Sequence, residues 1–247
     1  MDFGLYARYR PSYPASVLNM LRESGILDGS RTVADIGSGT GLFTDLLLRA
    51  GHEVFGVEPD DDARAIAERR LARHSAFTSV DGSAERTNLP AGAADPVTAA
   101  SSMHWFRQDT AVAEMRRILR GTRWCVALWN FREPAGSEFG EAFDRRWRDL
   151  LGPPPAGDRS KIENEVAEGF FGAASHRGSF VAPNPFPCNE SQLVGPAASS
   201  SKAPPLDTPA WMRVEDSLRS LHSEFEEDGL VWVPYVTYVC FGRLALR

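Results

Sequence analysis

The run Val33-Ala34-Asp35-Ile36-Gly37-Ser38-Gly39-Thr40-Gly41 constrains this chain more than any other nine residues. Val33 to Ile36 can enter a sheet as a strand. The three glycines that follow let the backbone turn tightly and approach a ligand closely. Leu42-Phe43-Thr44-Asp45-Leu46-Leu47-Leu48 then has helical spacing. A second strand-like run, Glu53-Val54-Phe55-Gly56-Val57, ends at Glu58, seventeen residues after Gly41. A carboxylate there can accept hydrogen bonds from both hydroxyls of a ribose. Together these elements predict a nucleotide site at the end of a parallel strand.

The rhythm continues past that site. Strands are expected near 32–36, 53–58, 76–80, 97–101 and 124–130, with helices near 41–50, 61–73 and 108–119 and a leading helix over 15–24. Alternation of this kind predicts a doubly wound, mostly parallel α/β sheet. Pro11, Pro14 and Pro59 fall at element edges, and Pro96 falls at the first residue of a strand, where a missing N–H is tolerated. Beyond Asn130 the alternation stops. Glu138 to Leu151 reads as a helix with Phe143, Trp147, Leu150 and Leu151 on one face, and Trp211 to Glu227 reads as another, stopped by Asp228-Gly229. Residues 158–205 are mixed and rich in Ser, Ala and Pro. Leu230 to Phe241 reads as one buried strand. The expected organisation is a lead-in segment and helix over 1–30, an α/β core over 31–130, a helical and irregular lid or insertion over 131–228, and a final strand within 229–247.

Composition narrows the partners. A net charge of −6, with scattered Lys and Arg, argues against a nucleic-acid footprint, which is basic and clustered. The three cysteines, Cys125, Cys188 and Cys240, lie far apart with neither zinc nor disulfide spacing, which fits a reducing, cytoplasmic setting. Cys125 and Cys240 sit in apolar runs and read as packing groups. No His, Asp or Glu cluster has metal-ligand spacing, so no metal is expected. His52, His74, His176 and His222 match no motif and read as surface groups. The longest apolar run, Leu230 to Phe241, is too short to span a bilayer and contains Pro234, so no membrane segment is expected. Nothing in the sequence signals an oligomeric state.

The glycine loop also discriminates between nucleotides. A dinucleotide fingerprint, G-x-G-x-x-G, requires glycine where Leu42 stands, and it has no acid two residues before its first glycine. The form Asp-x-Gly-x-Gly-x-Gly resembles motif I of the class I S-adenosylmethionine-dependent methyltransferases. A pyrophosphate profits from a bare helix N-terminus. S-adenosylmethionine has no phosphate but carries an ammonium and a sulfonium, which suit a carboxylate beside the loop.

Further segments extend this resemblance over residues 1–130, and less strongly over 178–243. Tyr6-x-x-Tyr9-Arg10-Pro11-x-Tyr13-Pro14, Gly82-Ser83-Ala84-Glu85 followed by Leu89-Pro90, Ser102-Met103-His104-Trp105-Phe106, and Leu128-Trp129-Asn130 resemble segments of the type 11 methyltransferases. Within that group they are similar to trans-aconitate methyltransferase, as are Pro234-Tyr235-x-Thr237 and Gly242-Arg243. The resemblance implies a seven-stranded, Rossmann-like sheet with its last strand antiparallel. It implies S-adenosylmethionine as cofactor, S-adenosylhomocysteine as product and a small-molecule acceptor. It places Asp35 near the methionine end, with Gly37, Ser38 and Gly39 lining the loop and Glu58 at the ribose. Ser83, Ala84 and Glu85 are expected at the adenine, with Tyr9, Arg10 and Ser101 completing the cofactor contacts. Tyr6, Tyr13, Trp105 and Trp129 are expected to close an apolar substrate pocket. Three features depart from the pattern: Ser83 stands where the group usually has an acid, residues 88–96 lack the usual aliphatic pair, and Pro196 interrupts a segment that is helical in relatives.

Methyl transfer from a sulfonium is an in-line displacement, so the protein's main task is positioning, which can supply about 7–11 kcal/mol. His104, just beyond the fourth strand, is expected either as a base or as a hydrogen-bond donor that orients the acceptor. The acceptor atom is expected to be O or N, including a carboxylate, which would need no base. A tailoring enzyme that methylates carbon or assists a cyclisation, and a cofactor-binding subunit without catalysis, remain alternatives on this sequence. A nicotinamide dehydrogenase is disfavoured by Leu42.

Overall fold

The computed structural model describes residues 11–29, 31–152, 168–171, 177–198 and 203–244. They form two compact bodies. The first contains residues 12–130, 168–171, 177–182 and 237–244, and the second contains residues 131–152, 183–198 and 203–236.

The first body follows the predicted alternation: α1 (Ala15–Glu23), β1 (Thr32–Ile36), α2 (Leu42–Arg49), β2 (Glu53–Val57), α3 (Asp61–Leu71), β3 (Phe77–Val80), β4 (Val97–Ala100), α4 (Gln108–Ile118) and β5 (Trp124–Arg132). Local chemistry accounts for the boundaries. Asp60 caps α3 by accepting from the N–H groups of Asp62 and Ala63, both at 3.0 Å. Basic residues occupy the last turns of α3 and α4, where they complement the helix dipole. In β1 every residue after Thr32 is buried, as expected of a central parallel strand covered on both faces.

The sheet has seven strands in the order β3-β2-β1-β4-β5-β9-β6, where β6 is Arg177–Pro183 and β9 is Tyr235–Arg243. β2 pairs in parallel with β1 and β3, and β4 pairs in parallel with β1 and β5. The direction of winding reverses between β1 and β4, which is where ligands bind in open α/β sheets, beyond the carboxyl ends of the strands. Phe43 and Leu47 of α2, Leu71 of α3, Val126 and Leu128 of β5 and Val239 of β9 share one apolar core.

In the second body, α5 (Glu138–Leu151) buries Phe139, Phe143, Trp147 and Leu151, spaced four residues apart along one stripe. With α7 (Glu190–Ala198) and α8 (Pro209–Phe225) it encloses a separate core that includes Trp211, Leu218 and Leu221. Between the two stretches of sequence that build this body lies α6 (Glu168–Phe171), which belongs to the first body.

Three expectations need correction. Leu230–Phe241 is not one strand: β8 (Val231–Val233) pairs antiparallel with β7 (Phe186–Cys188), and β9 starts only after Pro234, which has no N–H to continue a ladder. β6 lies in a stretch whose composition showed no strand, because only its partner β9 makes an edge for it to join. Pro196 does not interrupt its segment, since α7 runs through it to Ala198. The histidine reading also fails at two positions: His52 and His222 are buried, not surface groups. Cys125 and Cys240 are buried, as packing groups should be.

Phe43 is 1% exposed and meets Tyr13 edge-on with ring centroids 5.2 Å apart. Truncating a ring so enclosed costs about 3–5 kcal/mol. Phe43→Ala should therefore lower the urea midpoint of unfolding by a corresponding amount, and a change under about 1 kcal/mol would mean that the core can close over the gap.

Candidate functional site

The three loop glycines are needed for three different reasons. Gly37 has φ +67°, and a Cβ on it would stand 2.6 Å from Ser102 Cβ. Ser102 cannot retreat freely, because its hydroxyl donates to Ile36 O at 2.7 Å and so ties the end of β4 to the end of β1. Gly41, at φ +79°, would bring a Cβ to 2.9 Å from Leu71 Cδ1, so its bareness lets α2 begin against α3. Gly39 differs from both. Among the described residues, no atom outside its own chain neighbours lies within 4 Å of where its Cβ would be, so described residues fill the space beside two glycines and not beside the third. Ser38 between them is half-buried, and its N–H donates to Val57 O at 3.1 Å.

Glu58 reaches across to that loop. One carboxylate oxygen accepts from Gly39 N–H at 2.8 Å and the other from Asp60 N–H at 3.0 Å. Burial raises its pKa, and these two N–H bonds oppose the rise. Asp35 is fully buried on β1. Its two oxygens accept from the Thr44 hydroxyl of α2 at 2.7 Å and the Thr98 hydroxyl of β4 at 2.9 Å. Burial pushes its pKa up to about 6 against the pull of those hydroxyls, with the Glu58 charge adding to the rise. Asp35 thus joins β1, α2 and β4 from inside the sheet, and Glu58 joins the loop to the turn after β2 at the sheet's edge.

The segment after β3 is also held by carboxylates. Ser83 and Arg86 bridge to each other, Ala84 is buried, and Glu85 accepts from Arg107 N–H at 2.8 Å. Burial alone would raise the Glu85 pKa, but the bond from Arg107 N–H and that from the Ser83 hydroxyl leave it below the ordinary value. Two residues on, Thr87 donates both its N–H (2.8 Å) and its hydroxyl (2.6 Å) to Glu114. Bonds from Arg117, and then from Thr87, outweigh desolvation and hold Glu114 down at about 2.

At the carboxyl end of β4, Ser101 takes φ +55° and shares a 3.0 Å hydrogen bond with the Tyr13 hydroxyl. A 3-10 turn, Met103–Trp105, follows. There Trp129 Nε1–H donates to His104 Nδ1 at 3.3 Å, and because an indole can only donate, the neutral ring carries its proton on Nε2. Desolvation lowers the His104 pKa, which favours that neutral form. Trp105 beside it is 76% exposed, whereas Trp129 is buried and stacks on Tyr238.

Asp35, the glycine loop, Glu58, Ser83–Glu85, Tyr13, Ser101, His104, Trp105 and Trp129 therefore all belong to the first body, in or just beyond the carboxyl ends of its strands apart from Tyr13, which precedes α1. Tyr6, Tyr9 and Arg10 lie outside the described residues. Thr44, Thr98, Arg107 and Glu114 support the site and were not singled out from the sequence, while Ser102, read there only as the first residue of a motif, supports it through its bond to Ile36 O. A threonine inside an apolar helix or strand was the available signal for the first two. Among the described residues, no group of His, Cys, Asp and Glu could hold a metal ion, and no helix is long and apolar enough to cross a membrane.

Residues 34–126 match a family model described as a methyltransferase domain. The chain is 32% identical over 130 residues to an uncharacterized methyltransferase of Mycobacterium bovis, an alignment that covers 53% of this chain and 51% of that protein. A Saccharomyces cerevisiae protein named a probable S-adenosylmethionine-dependent methyltransferase is 31% identical over 147 residues, or 56% of this chain and 48% of the yeast protein. The chain spans about half the length of the curated relatives it matches. A solved structure from Anaeromyxobacter dehalogenans, provisionally named a type II methyltransferase, aligns with 97% of this chain and 100% of its own at a TM-score of 0.68 and 22% identity. A SAM-dependent methyltransferase from Aquifex aeolicus covers 74% of this chain and 92% of its own, with a TM-score of 0.51 at 17% identity. The architecture is the Rossmann-like class I methyltransferase fold.

The buried Asp35 yields a test of sign. Its pKa in the folded chain, about 6, lies above the ordinary 3.8, so the folded state binds the proton more tightly. The associated stability is fully present below about pH 4 and is lost as pH rises through about 6, amounting to about 3 kcal/mol. Asp35→Asn removes the titration and can still bond both threonine hydroxyls. Urea unfolding at pH 4.5 and 7.5 should show the variant gaining on the wild type at the higher pH. A constant difference would disprove the coupling.

Proposed function

We propose that this chain is an S-adenosylmethionine-dependent methyltransferase acting on an O or N atom of a small metabolite, with a carboxylate oxygen the favoured acceptor. The observation that carries the reading is Gly39: its outer face is bare, its N–H is held by Glu58, and both residues lie within the stretch matched to a methyltransferase domain. The residues present fit the cofactor. A Cβ at position 39 would occupy the space that a ligand needs. Glu58 keeps lone pairs free for ribose hydroxyls after accepting one N–H on each oxygen. Asp35 and Glu58 give the neighbourhood a negative potential suited to a cation that carries no phosphate.

When bound, S-adenosylmethionine supplies an electrophilic methyl whose carbon–sulfur bond breaks with the electron pair remaining on a neutral thioether. The chain's own residues position the acceptor. Glu58 and the Gly37–Gly41 loop hold the ribose side, and the Ser83–Glu85 turn lies on the adenine side. Asp35 acts through Thr44 and Thr98 by keeping the loop's two flanking elements in register. Of the two roles expected for His104, the geometry favours the donor, because Trp129 occupies Nδ1 and Nε2–H is left to point at an acceptor oxygen. A carboxylate acceptor brings its own lone pair and needs no base. Trp105, with its exposed ring, supplies apolar surface for the rest of the acceptor. The similarity to trans-aconitate methyltransferase at Ser102–Phe106 points the same way.

Calorimetry of the purified chain with S-adenosylhomocysteine and with NAD is the first test. Binding of the former alone is expected, and failure to bind it would overturn the assignment. For His104, a donor to a charged oxygen contributes about 1.5–3 kcal/mol, so His104→Ala should lower kcat/KM by about 10- to 150-fold without adding or removing a pH limb. His104→Gln, which keeps an N–H, should recover part of the loss. A limb that disappears in His104→Ala would instead mark a base.

A further inference from the structure

We propose that Phe170 is a positioning residue for the glycine loop, acting through Phe106. No sequence motif marks the short helix α6, yet its two phenylalanines are among the more deeply buried side chains, with Phe170 at 6% and Phe171 at 1% exposure. Phe170 meets Phe106 edge-on, with ring centroids 6.3 Å apart and planes at 74°. Phe106 also comes near the loop: a Cβ on Gly37 would lie 3.6 Å from Phe106 Cε1. One ring therefore neighbours both α6 and the first glycine of the loop.

The backbone around Phe106 has little freedom to absorb a change. Its own N–H closes the 3-10 turn onto Met103 O at 3.1 Å, and the next N–H, that of Arg107, is held by Glu85. A polar contact also holds α6. Gln108 Nε2 donates to Gly169 O, and a Cβ on Gly169 would stand 2.5 Å from the Gln108 amide, a crowding that the end of the Gln108 side chain could relieve by moving. With α6 seated, the Phe106 ring has Phe170 as a neighbour and lies near Gly37. Without the Phe170 ring, Phe106 can swing into the vacated space, and the ring next to Gly37 no longer limits the loop's movement. The same movement would disturb the turn that carries His104, two residues before Phe106. Phe170 is not itself among the proposed ligand contacts, so its proposed effect runs through position.

The test has two readouts, one of which does not depend on the proposed cofactor. Amide exchange at Gly37, Ser38 and Gly39, all hydrogen-bonded in this structure, reports loop opening directly. Phe170→Ala should speed exchange there by about fivefold or more and weaken S-adenosylhomocysteine binding about tenfold, whereas Phe170→Leu should restore most of both. Ile26→Ala, an equally buried truncation before β1 in the same body, controls for a general loss of stability and should move neither. Unchanged loop exchange and affinity in Phe170→Ala would overturn the proposal, as would equal changes in Ile26→Ala. The binding arm rests on the methyltransferase reading. If the wild type binds no S-adenosylhomocysteine while Phe170→Ala still loosens the loop, that reading falls and the positioning role stands.

Discussion

A buried carboxylate shared by two threonines is the interaction on which the rest of the site depends. Asp35 lies wholly inside the sheet, where an ionised group is costly unless it is bonded. Thr44 and Thr98 supply one hydroxyl to each oxygen. Because Thr44 belongs to α2 and Thr98 to β4, the arrangement fixes the helix after the glycine loop and the strand across from it relative to β1. The loop between them then has little choice of path. Ser102, just past β4, closes the same gap from above by bonding Ile36 O, and its bulk is what forces glycine at position 37. The reversal in strand order between β1 and β4 thus opens a crevice whose walls are tied together by two hydroxyl–carboxylate bonds below and one hydroxyl–carbonyl bond above.

The legible part of the fold was the part whose signals are local. Most of the strands from β1 to β5 carry their own apolar run, and helices follow β1, β2 and β4, so local periodicity finds them. β6 and β9 depend on each other and on β5 across long stretches of sequence, and no local pattern encodes that pairing. Pro234 was visible, but reading Leu230–Phe241 as a single apolar run hid its consequence, which is two strands in two sheets. The site shows the same division. Gly37, Gly39, Gly41 and Glu58 could be read from spacing because the turn and the acid impose it. Thr44, Thr98 and Glu114 could not, because each acts on a partner brought near only by folding. Asp35 was recognised by its motif position, yet its surroundings differ from the motif's simplest reading: both its oxygens face protein hydroxyls.

His104 illustrates how packing bears on the protonation of a site residue. The sequence left it as base or donor. The bond from Trp129 settles the tautomer of the neutral ring, since indole N–H has no acceptor lone pair to offer, and desolvation lowers the pKa of the ring. Trp129 in turn is fixed by its stack on Tyr238, so a residue of β9, far along the chain, sets the proton position of a residue just after β4.

Most polar groups that line this edge of the sheet already bond one another. Glu58 holds Gly39 and Asp60, Glu85 holds Arg107, and Ser102 holds Ile36. A site built this way gives up little conformational freedom on binding, and so more of each new contact appears as affinity. The cost is that few donors and acceptors remain uncommitted. Recognition must then use the second lone pairs of carboxylates already in place, the bare backbone beside Gly39, and the open faces of His104 and Trp105. The first two belong to the glycine loop and its neighbouring acid. The last two stand beyond β4 rather than in the loop, where their chemistry can vary without disturbing the bonds that keep the loop in shape.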